Sequence, residues 1–174
     1  AISQGPKVDF PADVLEETED VEERIPPEEI DRRRDLRGER IFTIDPDDAK
    51  DFDDAIHLKE LSSGNFELGV HIADVSHYVE PGSATDEEAV ERATSVYLVD
   101  RTIPMLPEKL SNKVCSLRPN EDKLAYSCIM EVSPDGRIVN HDITETLIRS
   151  QHRFTYDEAQ EIIDGQNSGH FLAD

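Results

Sequence analysis

Residues 43–56 read TIDPDDAKDFDDAI and place six aspartates between two apolar segments. Residues 41–44 and 55–58 are rich in β-branched and apolar side chains, which predicts one strand before the acidic segment and another after it. Like charges a few ångströms apart repel and raise one another's pKa, so a folded protein keeps them together mainly where a divalent cation compensates. Oxygen-only ligands select Mg²⁺, Mn²⁺ or Ca²⁺.

The spacing alone leaves a solvated acidic loop and a catalytic metal site as alternatives. A calcium loop of the EF-hand type that began at Asp45 would put Lys50 where glycine is required and Ile56 where a bidentate glutamate belongs, so that pattern fails. A catalytic site would use one or two Mg²⁺ ions to clamp a phosphodiester and activate water. Phe52, an apolar residue among acids, is expected to be buried and to fix which carboxylates point inward.

The segments around the acidic loop predict a mixture of strands and helices. Helix starts are indicated at Pro11, Pro27 and Ser83, and the helix that starts at Ser83 is expected to run to about Ser95. Further signals are a strand at 66–72, a hairpin formed by 124–132 and 137–148 around the turn 133–136, and a capping box at 155–158 before a last helix. This order predicts an α+β fold, with a mixed, largely antiparallel sheet and flanking helices.

The domain organisation predicted from the sequence has two parts. Residues 1–40 are polar and acidic and form a helical lead-in or linker, and residues 41–174 form the domain that carries the aspartates. The lead-in contains one dense basic patch, Arg32-Arg33-Arg34. A solvated helix face paired with neighbouring acids is favoured for this patch over contact with the phosphates of a nucleic acid.

Charge and composition limit the partners and the compartment. The 18 Lys and Arg against 40 Asp and Glu give a net charge of −22, which opposes the basic balance expected of a protein that holds phosphates. Either this chain does not carry the parts that would bind a nucleic acid, or its surface is adapted to high salt. No apolar run is long enough for a membrane helix, so a cytoplasmic location without membrane contact is expected. Cys115 and Cys128 lack paired spacing and are expected to be free, buried thiols.

Several blocks in order resemble the catalytic domain of the ribonuclease II/R family. They are residues 43–56 quoted above, 71–79 (HIADVSHYV), Tyr97-Leu98, 103–107 (IPMLP), Leu110-Ser111 and 115–117 (CSL), and residues 33–37 (RRDLR) are similar to the ribonuclease R branch. The resemblance implies the N-terminal half of an RNB-type catalytic domain. It also implies 3′-to-5′ hydrolysis of single-stranded RNA to nucleoside 5′-monophosphates with Mg²⁺, or Mn²⁺ in its place, as cofactor.

The same resemblance assigns roles to single residues. It implies that Asp45, Asp51, Asp53 and Asp54 are the family's four essential aspartates, which are catalytic and hold the metal, whereas Asp47 and Asp48 are outlying or exposed. Tyr97 would bind substrate by stacking on a nucleotide near the 3′ end, because a flat ring tolerates every base.

Other polar residues have plainer interpretations. His71 lies in an apolar strand and is expected to be structural rather than a general base. Asp74 could support the metal site or cap a turn, and Arg118 could meet a phosphate or pair with Glu121 or Asp122.

The resemblance is partial, because OB-fold RNA-binding domains on both sides and the second half of the catalytic domain are not in this sequence. Turnover by this chain alone is therefore expected to be weak or absent. The alternative from another class is a non-catalytic acidic interaction module or divalent-ion-binding domain, in which the aspartates are inert or hold only an ion.

Overall fold

The computed structural model describes residues 8–165 of the chain. The strands are β1 (Arg34–Asp35), β2 (Ile41–Asp45), β3 (Asp54–Glu60), β4 (Phe66–Ala73), β5 (Val96–Tyr97), β6 (Thr102–Ile103), β7 (Asp122–Val132) and β8 (Ile138–Thr155). The α-helices are α1 (Ala12–Glu19), α2 (Pro27–Arg32), α3 (Ala84–Arg92) and α4 (Tyr156–Ile163), and shorter helical turns occupy Val75–His77 and Leu110–Val114.

Strand β8 organises the six-stranded sheet, whose order is β1-β8-β2-β3-β4-β7. The first part of β8 pairs antiparallel with β7, and its last part, Ser150 to Thr155, pairs parallel with β2. Because β7 also pairs with β4, the ladder runs from β8 through β2, β3, β4 and β7 back to β8. The sheet therefore closes on itself. The acidic loop lies between two of its strands, β2 and β3.

The core lies between the inward face of this sheet and the segment that follows β6. The buried cluster comprises Leu36, Ile41, Ala55, Ala73, Leu106, Leu110, Val114, Cys115, Leu117, Ala125, Ile129 and Ile148. Phe52 is half-buried and packs against this cluster, so the predicted burial of the apolar residue within the acidic loop is confirmed in part. The core thereby reaches the loop that carries the aspartates.

The prediction of an α+β fold with a mixed, largely antiparallel sheet and flanking helices is confirmed. The turn at 133–136 joins β7 to β8 with Gly136 at φ 83°, a conformation that favours glycine. Thr155 and Glu158 form the predicted capping box. Helix α3 begins after Ser83 as predicted but ends at Arg92 rather than near Ser95, because Ala93 adopts a left-handed conformation.

The basic patch pairs with acids as the favoured interpretation predicted, but it is not a solvated helix face, because Arg33 is buried and Arg34 belongs to β1. Arg33 is buried, and its guanidinium lies 2.6 Å from Asp74 and 2.8 Å from Glu29. Arg32 pairs with Glu29 and Glu145. These ion pairs hold α2 against the sheet.

The ion pairs at α2 predict an acid-sensitive contribution to stability. Hydrogen bonds from Arg32 and Arg33 lower the pKa of Glu29 from its ordinary 4.5 to about 2. A carboxylate whose pKa is lowered by folding stabilises the protein fully above its unfolded pKa, and that stabilisation is lost as pH falls through the folded value. We expect Glu29→Gln to lower the free energy of unfolding at pH 7 by about 1–3 kcal/mol.

The measurement is urea unfolding of wild type and variant at several pH values. The difference should shrink below pH 4.5 and vanish near pH 2. Glu28→Gln is the matched control, because Glu28 is exposed in the same first turn. Equal losses from the two substitutions would show that the helix end, and not the ion pairs, is responsible.

Other expectations have mixed outcomes. Cys115 is buried, Cys128 is half-buried, and both are free. No helix within residues 8–165 is long and apolar enough to cross a membrane. The division into residues 1–40 and 41–174 stays a prediction, and its outer ends, 1–7 and 166–174, lie outside the described residues.

Candidate active site

The four predicted aspartates lie at and between the ends of β2 and β3. Asp45 is the last residue of β2, and Asp54 is the first residue of β3. Asp51 and Asp53 lie in the loop that joins these two strands. Strand pairing across the sheet therefore brings both ends of the acidic segment to one region of the fold.

A distant segment fixes the backbone of this loop. The Ser116 hydroxyl donates to the Lys50 carbonyl at 3.2 Å and accepts from the Phe52 amide at 3.0 Å. The Leu117 amide donates to the Phe52 carbonyl at 2.8 Å. At its other end the loop is held by the Ala73 amide, which donates to the Asp53 carbonyl at 2.9 Å. These hydrogen bonds fix the backbone of Phe52 between Asp51 and Asp53.

Three buried polar atoms near this loop have no hydrogen-bond partner. They are Thr43 Oγ1, Asp45 Oδ2 and Arg153 Nε, and only one other such side-chain atom, His57 Nε2, occurs in residues 8–165. Asp45 is 7% exposed, so its carboxylate has little access to water. Buried polar groups are ordinarily paired, because an unpaired one costs about 1–3 kcal/mol. Three unpaired, buried polar atoms beside one loop indicate a site adapted to bind a ligand.

Electrostatics distinguish the individual carboxyl groups. Asp53 is exposed at the surface, but the protein packed around its carboxyl group reduces hydration there and raises its pKa to about 6, and the charges of Asp51, Asp54 and Asp45 add to the effect. Burial raises the pKa of Asp45 as well, opposed in part by the neighbouring Thr43 hydroxyl and Arg153. In both cases loss of hydration is the main cause, and the neighbouring carboxylates add a smaller like-charge contribution.

Tyr97 stands beside the aspartates. Its hydroxyl donates to Asp51 Oδ2 at 2.9 Å, while 66% of the residue is exposed. The hairpin β5–β6 that carries Tyr97 and the acidic loop together line an open groove of about 630 Å³, which Asp45 and Asp51 border. Asp53 and Asp54 are not among its lining residues.

The structure does not gather the aspartates into a tight ligand set. Within residues 8–165, three ligand atoms that lie within 4.8 Å of one another come from Glu39, His57 and Glu67, and not from the aspartates. Closer approach of several carboxylates requires a positive charge between them. Asp47 and Asp48, which the resemblance set apart, are exposed.

The donor chemistry of the aspartates fits a hard divalent cation. All four candidates offer carboxylate oxygens, which are the ligands that Mg²⁺ and Mn²⁺ prefer. The unpartnered Asp45 Oδ2 and the raised pKa of Asp53 are the two features that a bound cation would satisfy. The specific ion does not follow from these observations.

Two neighbouring polar residues have structural roles. His71 is fully buried, and its ring nitrogens lie 2.7 Å from Ser127 Oγ and 2.9 Å from His57 Nδ1. Asp74 accepts from the Ser76 hydroxyl at 2.6 Å and pairs with Arg33. Arg118 lies 3.4 Å from Glu121, which agrees with the plainer of its two interpretations.

Sequence reasoning missed the residues that hold the loop from a distance. Arg153 on β8 donates to the carbonyls of Pro46 and Asp47, the latter at 3.0 Å, and lies opposite Thr43 on β2. Ser116 bonds the loop at Lys50 and Phe52. The only signal for Ser116 was its place in the block 115–117 that resembles the family, and Arg153 had none.

Comparison with known proteins decides the family. The model of the RNB domain matches residues 33–171. The chain belongs to the RNB-domain family. Ribonuclease R 1 of Lactococcus lactis subsp. lactis (strain IL1403) is 53% identical to the RNB chain over 160 residues, which are 92% of this chain and 20% of that protein. The predicted resemblance to ribonuclease R is thereby confirmed.

Solved structures agree with this assignment. Mycoplasma genitalium RNase R, in a complex with ribose-methylated single-stranded RNA, superimposes with a TM-score of 0.86 at 34% identity and is matched over 92% of this chain and 25% of its own. Yeast Ssd1, described as a pseudonuclease, matches with a TM-score of 0.75 at 23% identity over 86% of this chain and 19% of its own, which shows the fold alone. The RNB chain thus spans about a fifth to a quarter of these proteins.

Proposed function

We propose that this RNB chain carries the metal-binding aspartates of a 3′-to-5′ exoribonuclease that hydrolyses single-stranded RNA to nucleoside 5′-monophosphates. Asp45, Asp51, Asp53 and Asp54 are the proposed catalytic and metal-binding residues, Mg²⁺ is the proposed cofactor, with Mn²⁺ as a substitute, and Tyr97 is the proposed RNA contact. Similarity to ribonuclease R proteins supports this proposal.

One observation carries the proposal beyond family membership. Asp45 Oδ2 is buried without a hydrogen-bond partner at the border of an open groove that an exposed tyrosine also lines. An unpaired carboxylate oxygen beside an accessible aromatic ring provides a cation ligand and a stacking surface in one place.

Each part of the site has a definite task in this proposal. Bound Mg²⁺ would neutralise charge on the scissile phosphate and lower the pKa of the attacking water. Asp45 and its neighbours hold that charge in place, and Ser116 and Arg153 keep the loop backbone from rearranging. Tyr97, held by Asp51, offers its ring to the base next to the scissile phosphate.

The chain's acidity is consistent with an incomplete RNA-binding surface. Arg32 and Arg33 form ion pairs with glutamates and Asp74, so these two arginines of the basic patch are not available to bind RNA phosphates. RNA affinity depends largely on cations that contact phosphates. We therefore expect flanking segments to supply the grip on RNA and turnover by this chain alone to be weak.

The second candidate is a non-catalytic module whose aspartates are inert. A pseudonuclease with this fold shows that the fold does not by itself establish hydrolysis. Magnesium binding separates the candidates. We expect Mg²⁺ titration by calorimetry to show binding to the chain that Asp53→Asn weakens by about 10- to 100-fold.

Asp47→Asn is the matched control for this titration, because it removes the same charge from another exposed aspartate of the same loop that is not among the proposed metal ligands. Equal weakening by both substitutions would indicate diffuse attraction of cations to an acidic surface. Undiminished binding by the Asp53→Asn chain would remove Asp53 from the ligand set.

Tyr97 gives a second test, on RNA rather than on metal. We expect Tyr97→Ala to weaken binding of single-stranded RNA by about 5- to 100-fold in a polypeptide that includes the flanking segments, since stacking contributes about 1–3 kcal/mol per base. Tyr97→Phe should retain most of the affinity, because it keeps the ring and loses only the bond to Asp51.

Fluorescence anisotropy with a labelled RNA is the measurement for these variants. Tyr126→Ala is the control, because Tyr126 is 49% exposed on β7 and outside the groove. Loss of affinity in Tyr97→Phe as large as in Tyr97→Ala would assign Tyr97 to positioning of Asp51 and not to stacking.

A further inference from the structure

A buried chain of polar side chains crosses four strands of the sheet. His57 Nδ1 lies 2.9 Å from His71 Nε2, His71 Nδ1 lies 2.7 Å from Ser127 Oγ, and Ser127 Oγ lies 2.6 Å from Thr146 Oγ1. All four residues are 0–1% exposed. At its far end the Thr146 hydroxyl donates to the Ala125 carbonyl at 3.2 Å.

The direction of the protons along this chain follows from its far end. Because Thr146 donates to a carbonyl, the Ser127 hydroxyl must donate to Thr146, and His71 Nδ1–H must therefore donate to Ser127. His71 Nε2 is then the acceptor, since burial lowers the pKa of His71 well below its ordinary value and keeps the ring neutral. His57 Nδ1–H donates to His71. With Nδ1–H donated to His71, Nε2 is the ring nitrogen of His57 that a metal ion could bind through its lone pair.

Two carboxylates flank that nitrogen. His57 Nε2 is buried without a hydrogen-bond partner, and Glu67 Oε1 lies 3.5 Å away. Glu39 supplies the third atom of a set that lies within 4.8 Å. The Lys59 ammonium lies 3.3 Å from Glu39 Oε1 and 3.2 Å from Glu67 Oε1, and 45% of this lysine's side chain is exposed.

From this geometry we infer that Glu39, His57 and Glu67 form a binding site for a zinc-class divalent ion, which the Lys59 ammonium blocks until it swings into solvent. Ligands about 2.1 Å from a tetrahedral zinc are roughly 3.4 Å apart, so the His57–Glu67 pair is already at the required separation. Water completes the coordination. One imidazole with two carboxylates favours zinc over Mg²⁺, which prefers oxygen ligands.

The surrounding structure supports a metal ligand at His57. Metal-binding histidines ordinarily donate their second ring N–H to a fixed acceptor, and His71 Nε2 is that acceptor here. The backbone at Glu39 is held by hydrogen bonds with Leu36, Ile41 and Gln151. His57 and Asp54 lie on opposite faces of β3, because side chains alternate along a strand. None of the four aspartates contributes to the set of ligand atoms formed by Glu39, His57 and Glu67.

The test is zinc titration by calorimetry on the untagged chain in excess Mg²⁺, with the visible spectrum of bound Co²⁺ as a second readout of nitrogen ligation. We expect one zinc-binding site whose affinity falls about 30-fold or more in Glu67→Gln and rises about tenfold in Lys59→Met. Both side chains are partly exposed, so neither substitution should prevent folding. Glu60→Gln, an exposed charge change on the same strand, should leave the affinity unaltered.

Several outcomes would overturn the inference. Binding by Glu67→Gln within about threefold of wild type would remove the carboxylate from the site. Unchanged or weaker binding by Lys59→Met would show that no ion sits between the two glutamates. Asp53→Asn should leave the zinc affinity as it is, and loss of the same zinc signal in that variant would assign the ion to the aspartate loop instead.

Discussion

Gly69→Ala is expected to lower the free energy of unfolding by about 3 kcal/mol or more, although it adds a single methyl group. A Cβ at Gly69 would lie 2.2 Å from His57 Cε1 and 2.3 Å from His57 Nδ1. The His57 ring has little room to retreat, because it is 1% exposed, hydrogen-bonds to His71 and stacks on the His71 ring with centroids 5.1 Å apart. Moving it breaks a buried hydrogen bond and strains the packing.

Gly38→Ala is the control for this substitution. Gly38 has no atom within 4 Å of an added Cβ and no left-handed backbone conformation, so we expect a change within about 1 kcal/mol. Urea unfolding of both variants measures the difference. The double variant His57→Ala/Gly69→Ala should be less destabilised than the sum of its single substitutions. Additive losses, or a loss at Gly69 as small as at Gly38, would contradict the steric explanation.

Local chemistry made much of the fold predictable. Ser83, Thr155 and Gly136 each act within a few residues of themselves, as a helix cap, a capping box and a turn residue. The turn at 133–136 identified the two long strands on either side of it, and β-branched, apolar segments identified the strands that flank the aspartates. These signals require no knowledge of which strands pair.

Contacts between distant segments were not predictable in this way. Residues 150–153 of β8 are all polar and do not alternate with apolar neighbours, and they extend the strand because β2 supplies a parallel partner. The burial of Arg33 depends on Asp74, which lies 41 positions further along the chain (74 − 33). The pairing of His57 with His71 depends on strand register, which no local pattern determines.

In the candidate site, too, local features were predictable and contacts between distant segments were not. The crowding of aspartates and the resemblance together indicated which carboxylates to examine, but not that Asp45 alone among them would be buried. Burial of Asp45 arises from its alternation with Ile41 and Thr43 on the inward face of β2. The bond between Tyr97 on β5 and Asp51 in the acidic loop had no sequence signal.

Asp45→Asn is expected to reduce RNA hydrolysis by at least about 10²- to 10³-fold in a polypeptide that completes the catalytic domain. Asparagine keeps the size of the side chain but removes the negative charge that a divalent cation requires. Asp45 Oδ2 makes no hydrogen bond to the protein, so the expected loss follows from the missing charge and not from a broken hydrogen bond. Release of nucleoside 5′-monophosphates from single-stranded RNA is the measurement. Asp47→Asn, exposed in the same loop, should retain most of the activity.

Stability should change in the opposite direction to activity. The folded state raises the pKa of Asp45 above its ordinary value, so its ionised form destabilises the protein once pH exceeds the unfolded pKa of about 3.9. The asparagine side chain is neutral at every pH, so Asp45→Asn should unfold at equal or higher urea than wild type at pH 7 without added divalent ions, and the advantage should disappear near pH 3. Lower stability together with lost activity would instead make Asp45 a structural residue, because a buried acid retained for binding should cost stability when no cation is added.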